Sequence, residues 1–460
     1  MTGEEREKWI RRNAYYHRSV VRYLKFIIPE GAAVLEIGCG TGYLLEQLRP
    51  SRGVGIDISA EMVRFARTHR PGYVYHEMDA EHLSLNETFD YVIISDTIGS
   101  VTDVQMVFEA IHPVCTRQTR LIITSENFIW RPILKLAEKL GLKMPQKRQN
   151  WLDTGDITSL LHLTDFDLID HQRKMIFPKY IPLVSSVLNR YMGNLPLINS
   201  LGLFTCLVAR SKRTEQKPAD ALSVSVIIPA RNEKGNIEAL IQRTPQMGRH
   251  TELIFIEGNS TDQTWEEIQR LGAHYRAWYD IKWAQQDGKG KGDAVRKGFD
   301  LASGDILMIL DADMTVAPEE LPKFFDAIAY GKGEYINGSR LVYPMEKEAM
   351  RFLNLVGNKF FSLAFSWLLG QNLKDTLCGT KVISRENYLK LAANRSYFGN
   401  FDPFGDFDLI FGAARLNLKF IEIPIRYRAR TYGETNISRF KHGWLLLRMT
   451  AFALRKIKFI

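Results

Sequence analysis

Short apolar runs alternate along this chain with stretches whose apolar residues recur at helical spacing. Before residue 210 the runs fall at 33–37, 53–57, 90–95 and 120–125; beyond residue 222 they fall at 224–228, 252–257, 306–310 and 335–337. Most of them run into a glycine-rich or acidic turn and then an amphipathic segment. That alternation predicts parallel sheets with helices on both faces. Between the two series, Ser211 to Asp220 is polar, lacks periodicity and contains Pro218, as expected of a linker. The predicted organisation is therefore α/β with two Rossmann-like domains, 1–210 and 223–440, joined by a linker at 211–222 and followed by a helix over 441–460.

Composition adds limits. The 460 residues are 45% hydrophobic and 25% charged, which excludes a disordered chain and suits two ordinary cores. The cysteines Cys39, Cys115, Cys206 and Cys378 are scattered without a CxxC pair, so neither a zinc site nor a disulfide framework is expected, and a reducing cytoplasm fits. The N-terminus has no signal-peptide pattern. The longest apolar stretch, Phe352 to Leu369, is interrupted by Asn354, Asn358 and Lys359, too polar for a bilayer span. Nine of the basic residues and one acid lie between Arg426 and Ile460, so this tail supplies +8 of the net +9.

The first candidate chemistry lies in Val34-Leu-Glu36-Ile-Gly38-Cys-Gly40-Thr-Gly42, three glycines directly after a strand. Their spacing is G-x-G-x-G, and Tyr43 occupies the place of the last glycine of the dinucleotide fingerprint, which disfavours a nicotinamide dehydrogenase. The next strand ends in Asp57, placed to accept hydrogen bonds from ribose hydroxyls, and Asp79 sits where a third strand should end. These motifs, with FDYVIISDTI at 89–98, resemble class I S-adenosylmethionine-dependent methyltransferases over residues 15–210. The resemblance implies that Glu36, Gly38, Gly40 and Gly42 line the methionine moiety, Asp57 the ribose and Asp79 the adenine. The methyl acceptor is not readable; His82, Asp96 and His112 are candidate bases, and each also suits an ordinary surface or cap role.

In the second half, four motifs sit at predicted strand ends: Pro229-Ala-Arg231-Asn-Glu233, Glu257-Gly-Asn-Ser-Thr-Asp262, Lys289-Gly-Lys-Gly-Asp-Ala-Val-Arg296, and Asp311-Ala-Asp313. Ligands of open α/β sheets bind at such ends. Carboxylates at i and i+2 suit Mg²⁺ or Mn²⁺ bridging the diphosphate of a nucleotide-sugar. Together with GSR (338–340), DTLCGTKV (375–382) and RTYGETNIS (430–438), these motifs resemble family 2 glycosyltransferases of the GT-A fold, especially dolichyl- or polyprenyl-phosphate sugar transferases. The resemblance implies that Glu233, Glu257 and Asp262 contact the nucleoside and that Asp311 and Asp313 carry the metal. Pro229, Arg231 and Lys289 belong to the same donor set.

A phosphate acceptor is largely ionised at neutral pH and needs cations rather than a strong base; Arg340, Lys381, Arg428 and Arg430 are candidates. A saccharide hydroxyl would instead require a carboxylate base, with Asp406 and Asp408 available unless they serve only a helix N-terminus. The first domain could equally bind its nucleoside as a sensor or scaffold. Two segments look interfacial: 354–369, with one polar stripe of Asn354, Asn358, Ser362 and Ser366, and 441–460, where Lys441, Arg448 and Arg455 recur every seven residues amid Trp444, Leu447, Met449, Phe452 and Leu454. Basic residues amid so much apolar bulk suit anionic lipid rather than nucleic acid. The expectation is a peripheral protein on the cytoplasmic face of the membrane.

Overall fold

In the computed structural model, residues 2–145, 150, 152–343, 352–395, 407–428, 430, 432 and 439–459 are described, without the side chains of 352–356 and 439–442. The chain divides into two compact units, Met1–Glu215 with Lys458–Ile460, and Gln216–Ile457.

The first unit is built on β1 (Ala33–Ile37), β2 (Arg52–Asp57), β3 (Val74–Glu77), β4 (Phe89–Ser95), β5 (Cys115–Glu126), β6 (Phe166–Lys174) and β7 (Phe204–Ser211). Their order is β3-β2-β1-β4-β5-β7-β6. The first five are parallel, and β7 runs antiparallel to both β5 and β6. Successive residues of a strand face opposite sides, so Val34 and Ile93 feed one core while Leu35 and Val92 feed the other. This is a methyltransferase Rossmann-like sheet.

The second unit carries β8 (Ser223–Ala230), β9 (His250–Glu257), β10 (Asp280–Gln285), β11 (Ile306–Ile309), β12 (Tyr335–Ser339), β13 (Lys381–Ser384) and β14 (Phe420–Pro424). The order is β10-β9-β8-β11-β13-β12-β14, with β13 antiparallel to both neighbours, as in a GT-A domain. The expectation of all-parallel sheets is thus corrected. β7 and β13 enter the sheets reversed, because each is reached by a connection that returns along the sheet instead of crossing it.

The helix Phe352–Leu369 also corrects the sequence reading. Its polar stripe points inward: Asn358 and Ser362 are buried. Asn358 Nδ2 donates to Asp375 Oδ1 at 3.1 Å, and Ser362 Oγ to the Leu373 carbonyl at 2.9 Å. Polar groups around Leu373 and Asp375 need partners once buried, and this helix supplies them. Its outer side shows Phe360, Leu363 and Lys359. It packs against the helix Arg439–Ala453, which buries Leu446, Met449 and Ala453 while exposing Trp444 and Leu447. Arg448 and Arg455 are exposed, whereas Lys458, one turn beyond Arg455, is buried. Among the described residues, no helix is long and apolar enough to cross a membrane.

Candidate functional sites

The glycine turn of the first unit is shaped by backbone that only glycine adopts freely. Gly38, Gly40 and Gly42 have φ of +73°, +52° and +77°, and a Cβ at Gly38 would meet Thr97. Asp57, at the end of β2, fixes the turn: its Oδ2 accepts from the Gly40 amide at 2.8 Å and its Oδ1 from the Ser59 amide at 2.9 Å. Asp79 caps the next turn, accepting from the Glu81 amide at 3.0 Å, and remains partly exposed. Glu36 is buried beneath the turn, and its Oε2 has no partner among the described residues. Burial, reinforced by Asp57, pushes its carboxyl up to about 8. A buried carboxyl with one oxygen unpartnered, beside a glycine turn, fits the cationic methionyl end of S-adenosylmethionine. The residues present therefore fit this cofactor.

Beyond the end of β4 lies a cavity lined by Asp96, Glu126, Phe128, Arg131, Leu134 and Asn150, among others. Asp96 has φ +52°, uncommon for a non-glycine residue and frequent at functional sites. Tyr16 donates to its Oδ2 at 3.3 Å, while Oδ1 is buried without a partner among the described residues. Burial and then Glu126 push Asp96 up to about 6. Of the other candidate bases, His112 is engaged by Ser211 Oγ at 2.7 Å and the Thr164 carbonyl at 2.6 Å. His82 is exposed beside Asp79.

In the second unit the ends of β8, β9 and β11 converge, and left-handed residues mark each turn: Asn232, Asn259 and Met314 have φ of +57°, +57° and +54°. Asp313 Oδ1 accepts from the Thr315 amide at 3.0 Å and hydroxyl at 2.7 Å. Its Oδ2 accepts from Arg430 Nη2 at 2.7 Å, and the same guanidinium reaches Glu233 Oε1 at 3.3 Å. Asp311 pairs with Lys291 at 2.5 Å. Burial raises the Asp311 carboxyl, but Lys291 outweighs burial and holds it below the usual range. Glu233 is pushed up to about 7 by burial, against the pull of Arg430. Asp262 accepts from the Thr264 hydroxyl at 2.5 Å and from Tyr432 at 3.3 Å.

The sequence-predicted residues thus fall into distinct groups. Glu233, Asp262 and Asp313 share one network with Arg430 and Tyr432. Glu257 is buried and accepts from the Ser260 amide of its own loop at 2.5 Å and from Gln285 at the end of β10 at 3.2 Å, so it shapes the turn. Arg231 and Lys289 are exposed at the strand ends, and Pro229 lies within β8. Lys291, two residues beyond Lys289, is the lysine that meets the carboxylates; its signal was its place at the start of the helix Lys291–Leu301.

Arg340 does not serve as a free cation. It forms a bidentate pair with fully buried Asp375, Nε at 2.7 Å and Nη2 at 2.8 Å. Asp408 is buried between Arg395 at 3.1 Å and Arg296 at 3.7 Å. Asp406 lies outside the described residues. Arg428 is exposed, and its amide donates to the Thr315 carbonyl at 3.0 Å, beside the Asp313 turn. Two carboxylates held by the protein's own cations at a strand end are the donor set that Mg²⁺ or Mn²⁺ prefers. Among the described residues no group of three or more metal-ligating side chains is found.

The family model for Glycosyl transferase family 2 matches residues 225–391, and a Methyltransferase domain model matches 28–160. The chain is 39% identical over 241 residues to a dolichol-phosphate mannosyltransferase of Saccharomyces cerevisiae, spanning 47% of this chain and 82% of that protein. It is 28% identical over 226 residues to Glycosyltransferase AglJ of Haloferax volcanii, spanning 49% of this chain and 69% of that protein. A solved Thermotoga maritima methyltransferase, described as SAM-dependent and a possible histamine N-methyltransferase, matches with TM-score 0.37 at 22% identity over 45% of this chain and 94% of its own. The chain belongs to glycosyltransferase family 2 through its C-terminal unit, where it is similar to polyprenyl-phosphate sugar transferases, and carries a methyltransferase domain before it.

Proposed function

We propose that the C-terminal unit transfers a sugar, with inversion, from a nucleoside-diphosphate donor to a polyprenyl phosphate at the membrane surface, and that the N-terminal unit methylates a compound of the same glycolipid pathway. The relatives carry the names dolichol-phosphate mannosyltransferase and undecaprenyl-phosphate 4-deoxy-4-formamido-L-arabinose transferase. The observation that carries the reading is the pairing of Asp311 with Lys291 and of Asp313 with Arg430 at the end of β11. Asp313 and Asp311 would hold Mg²⁺ or Mn²⁺, which neutralises the departing diphosphate.

Exposed Arg428 beside this turn is the cation we assign to the acceptor phosphate, since Arg340 is neutralised by Asp375. The arginines on Asp408 argue against a carboxylate base there, and so against a saccharide hydroxyl as acceptor. The apolar outer residues Phe360, Leu363, Trp444 and Leu447, with exposed Lys359 and Arg448, support a peripheral site on the inner face of the membrane.

The test is product formation from UDP- and GDP-sugars, with either metal and short polyprenyl phosphates. Asp313→Ala should abolish a metal-dependent glycolipid product. Transfer to a free saccharide in place of lipid phosphate would defeat the acceptor assignment.

A further inference from the structure

The first unit exposes far more apolar surface than its fold explains. In the helix Arg131–Lys139 and the turn after it, Ile133, Leu136 and Leu140 are 56%, 56% and 64% exposed. Their spacing of three and four places them on one helix face. Between β6 and β7 a series of short helical turns exposes Leu183 to 83% and Leu197 to 89%. Leu183 is held at φ +63°, a costly conformation for a leucine. These two segments meet: Trp130 Nε1 donates to the Leu201 carbonyl at 2.7 Å, and Asn127 Nδ2 to the Ser200 carbonyl at 3.0 Å. Monomeric soluble surfaces rarely leave contiguous apolar patches of this kind uncovered.

Two further observations say what covers the patch. Its charge is one-sided: residues 128–142 and 176–203 contain Arg131, Lys135, Lys139, Lys179 and Arg190 against a single acid, Glu138. Glu138 is itself bound by Lys143 at 2.8 Å. A basic, apolar surface complements anionic lipid. The patch is also continuous with the cavity of Asp96, because Phe128, Arg131 and Leu134 line that cavity from the same segment. On the far side, adjacent tyrosines of the helix Ala14–Ile27 tie both parts together, Tyr16 to Asp96 and Tyr15 to Asn189 of the inserted segment.

We propose that the methyltransferase unit docks on an anionic membrane through the helix Arg131–Lys139 and residues 180–201, and that its methyl acceptor is a lipid-borne hydroxyl entering the Asp96 cavity from that surface. This rests on the reading of the first unit as an active SAM-dependent methyltransferase. The hydroxyl proton passes to the Asp96 carboxylate as the acceptor oxygen bonds to the methyl carbon. The carbon–sulfur bond breaks, its electron pair stays on sulfur, and the sulfonium becomes the neutral thioether of S-adenosylhomocysteine. An apolar collar around the cavity mouth keeps a lipid-linked acceptor at the surface while its head group enters.

The test is hydrogen–deuterium exchange of the full chain with vesicles of phosphatidylcholine alone or mixed equally with phosphatidylglycerol. Exchange in 128–142 and 180–201 should slow only with the anionic vesicles. Ile133→Ser with Leu136→Ser should remove that protection and lower methyl transfer from labelled S-adenosylmethionine into vesicle lipid bearing a polyprenyl-phosphate sugar by about tenfold or more, given the burial lost from two apolar side chains. S-adenosylmethionine binding by calorimetry should be unchanged, which separates docking from folding. Asp96→Asn should lose transfer but keep both binding and protection.

Protection confined to 439–459 would overturn the docking while leaving the glycosyltransferase reading intact. Protection that grows with protein concentration without vesicles would replace lipid by a second copy of the chain. Equal methylation of a water-soluble acceptor without vesicles would overturn the lipid-borne acceptor. Failure to bind S-adenosylmethionine would remove the underlying methyltransferase reading together with the proposal.

Discussion

Glu36 sits without a partner for one oxygen beneath the glycine turn, and its protonation is set by burial. Its carboxyl is raised from an ordinary value of 4.5 to about 8. The unfolded chain therefore ionises it first, and the fold loses stability as pH climbs from about 4.5 toward 8. Binding the methionyl cation reverses that preference. Calorimetry near neutral pH in buffers of different ionisation enthalpy should show release of about one proton per S-adenosylmethionine bound. Glu36→Gln should show none. Asp96, raised to about 6, is expected to give a methyl-transfer rate that rises with pH and levels off above that value. A flat profile would remove it as the base.

Asp375 poses the opposite case. It is fully buried but answered by Arg340 and Asn358, so Asp375→Asn should destabilise the second unit by about 3 kcal/mol, measured by denaturant unfolding, because it strands a buried guanidinium. The sequence placed Glu36, Asp57, Asp313 and Glu233 at strand ends, since acids and glycines directly after apolar runs carry a local signal. It did not reveal that Arg340 is neutralised. The partner lies 35 residues away and only the fold joins them.

At the scale of elements, periodicity gave the helix Phe352–Leu369 but assigned its faces wrongly. A stripe every four residues says which residues lie together; it does not say whether water or protein lies opposite. Here the backbone at Leu373 and the Asp375 carboxylate claimed the polar side. Phe360→Ser with Leu363→Ser should accordingly lower partitioning onto anionic vesicles with little change in thermal stability. Asn358→Leu should lower stability instead. The strands β1, β2, β4, β5, β8, β9, β11 and β12 were legible as apolar runs. β6, β10 and β14 alternate or are only partly buried, and their identity comes from the neighbours they pair with. β7 is buried throughout, yet its reversed direction follows from the route of the inserted segment before it, which no local pattern encodes.

For the molecule as a whole, each unit owns two apolar layers, one on each face of its sheet. Two such cores should unfold as two separable events. Scanning calorimetry of the full chain should resolve two transitions. S-adenosylmethionine at about a hundred times its Kd should raise only one of them, by about 5–10 °C. A nucleoside diphosphate with Mg²⁺ should raise only the other. A single transition moved by both ligands would show the cores to be energetically one. A polar, aperiodic stretch with a proline separates the two series of apolar runs in the sequence, and the chain divides into its two units within that stretch, between Glu215 and Gln216.

Arg430 lies between Asp313 and Glu233, so on the proposed reading the donor site would work as an ion exchanger. A divalent cation taking Asp313 would have to displace a guanidinium of the protein itself. Loading the ion and releasing Arg430 would then be two descriptions of one equilibrium, and by linkage whatever favours one favours the other. The freed arginine has an obvious new counter-charge in the diphosphate that arrives with the metal. One cation would thus replace another without the site ever standing bare of positive charge.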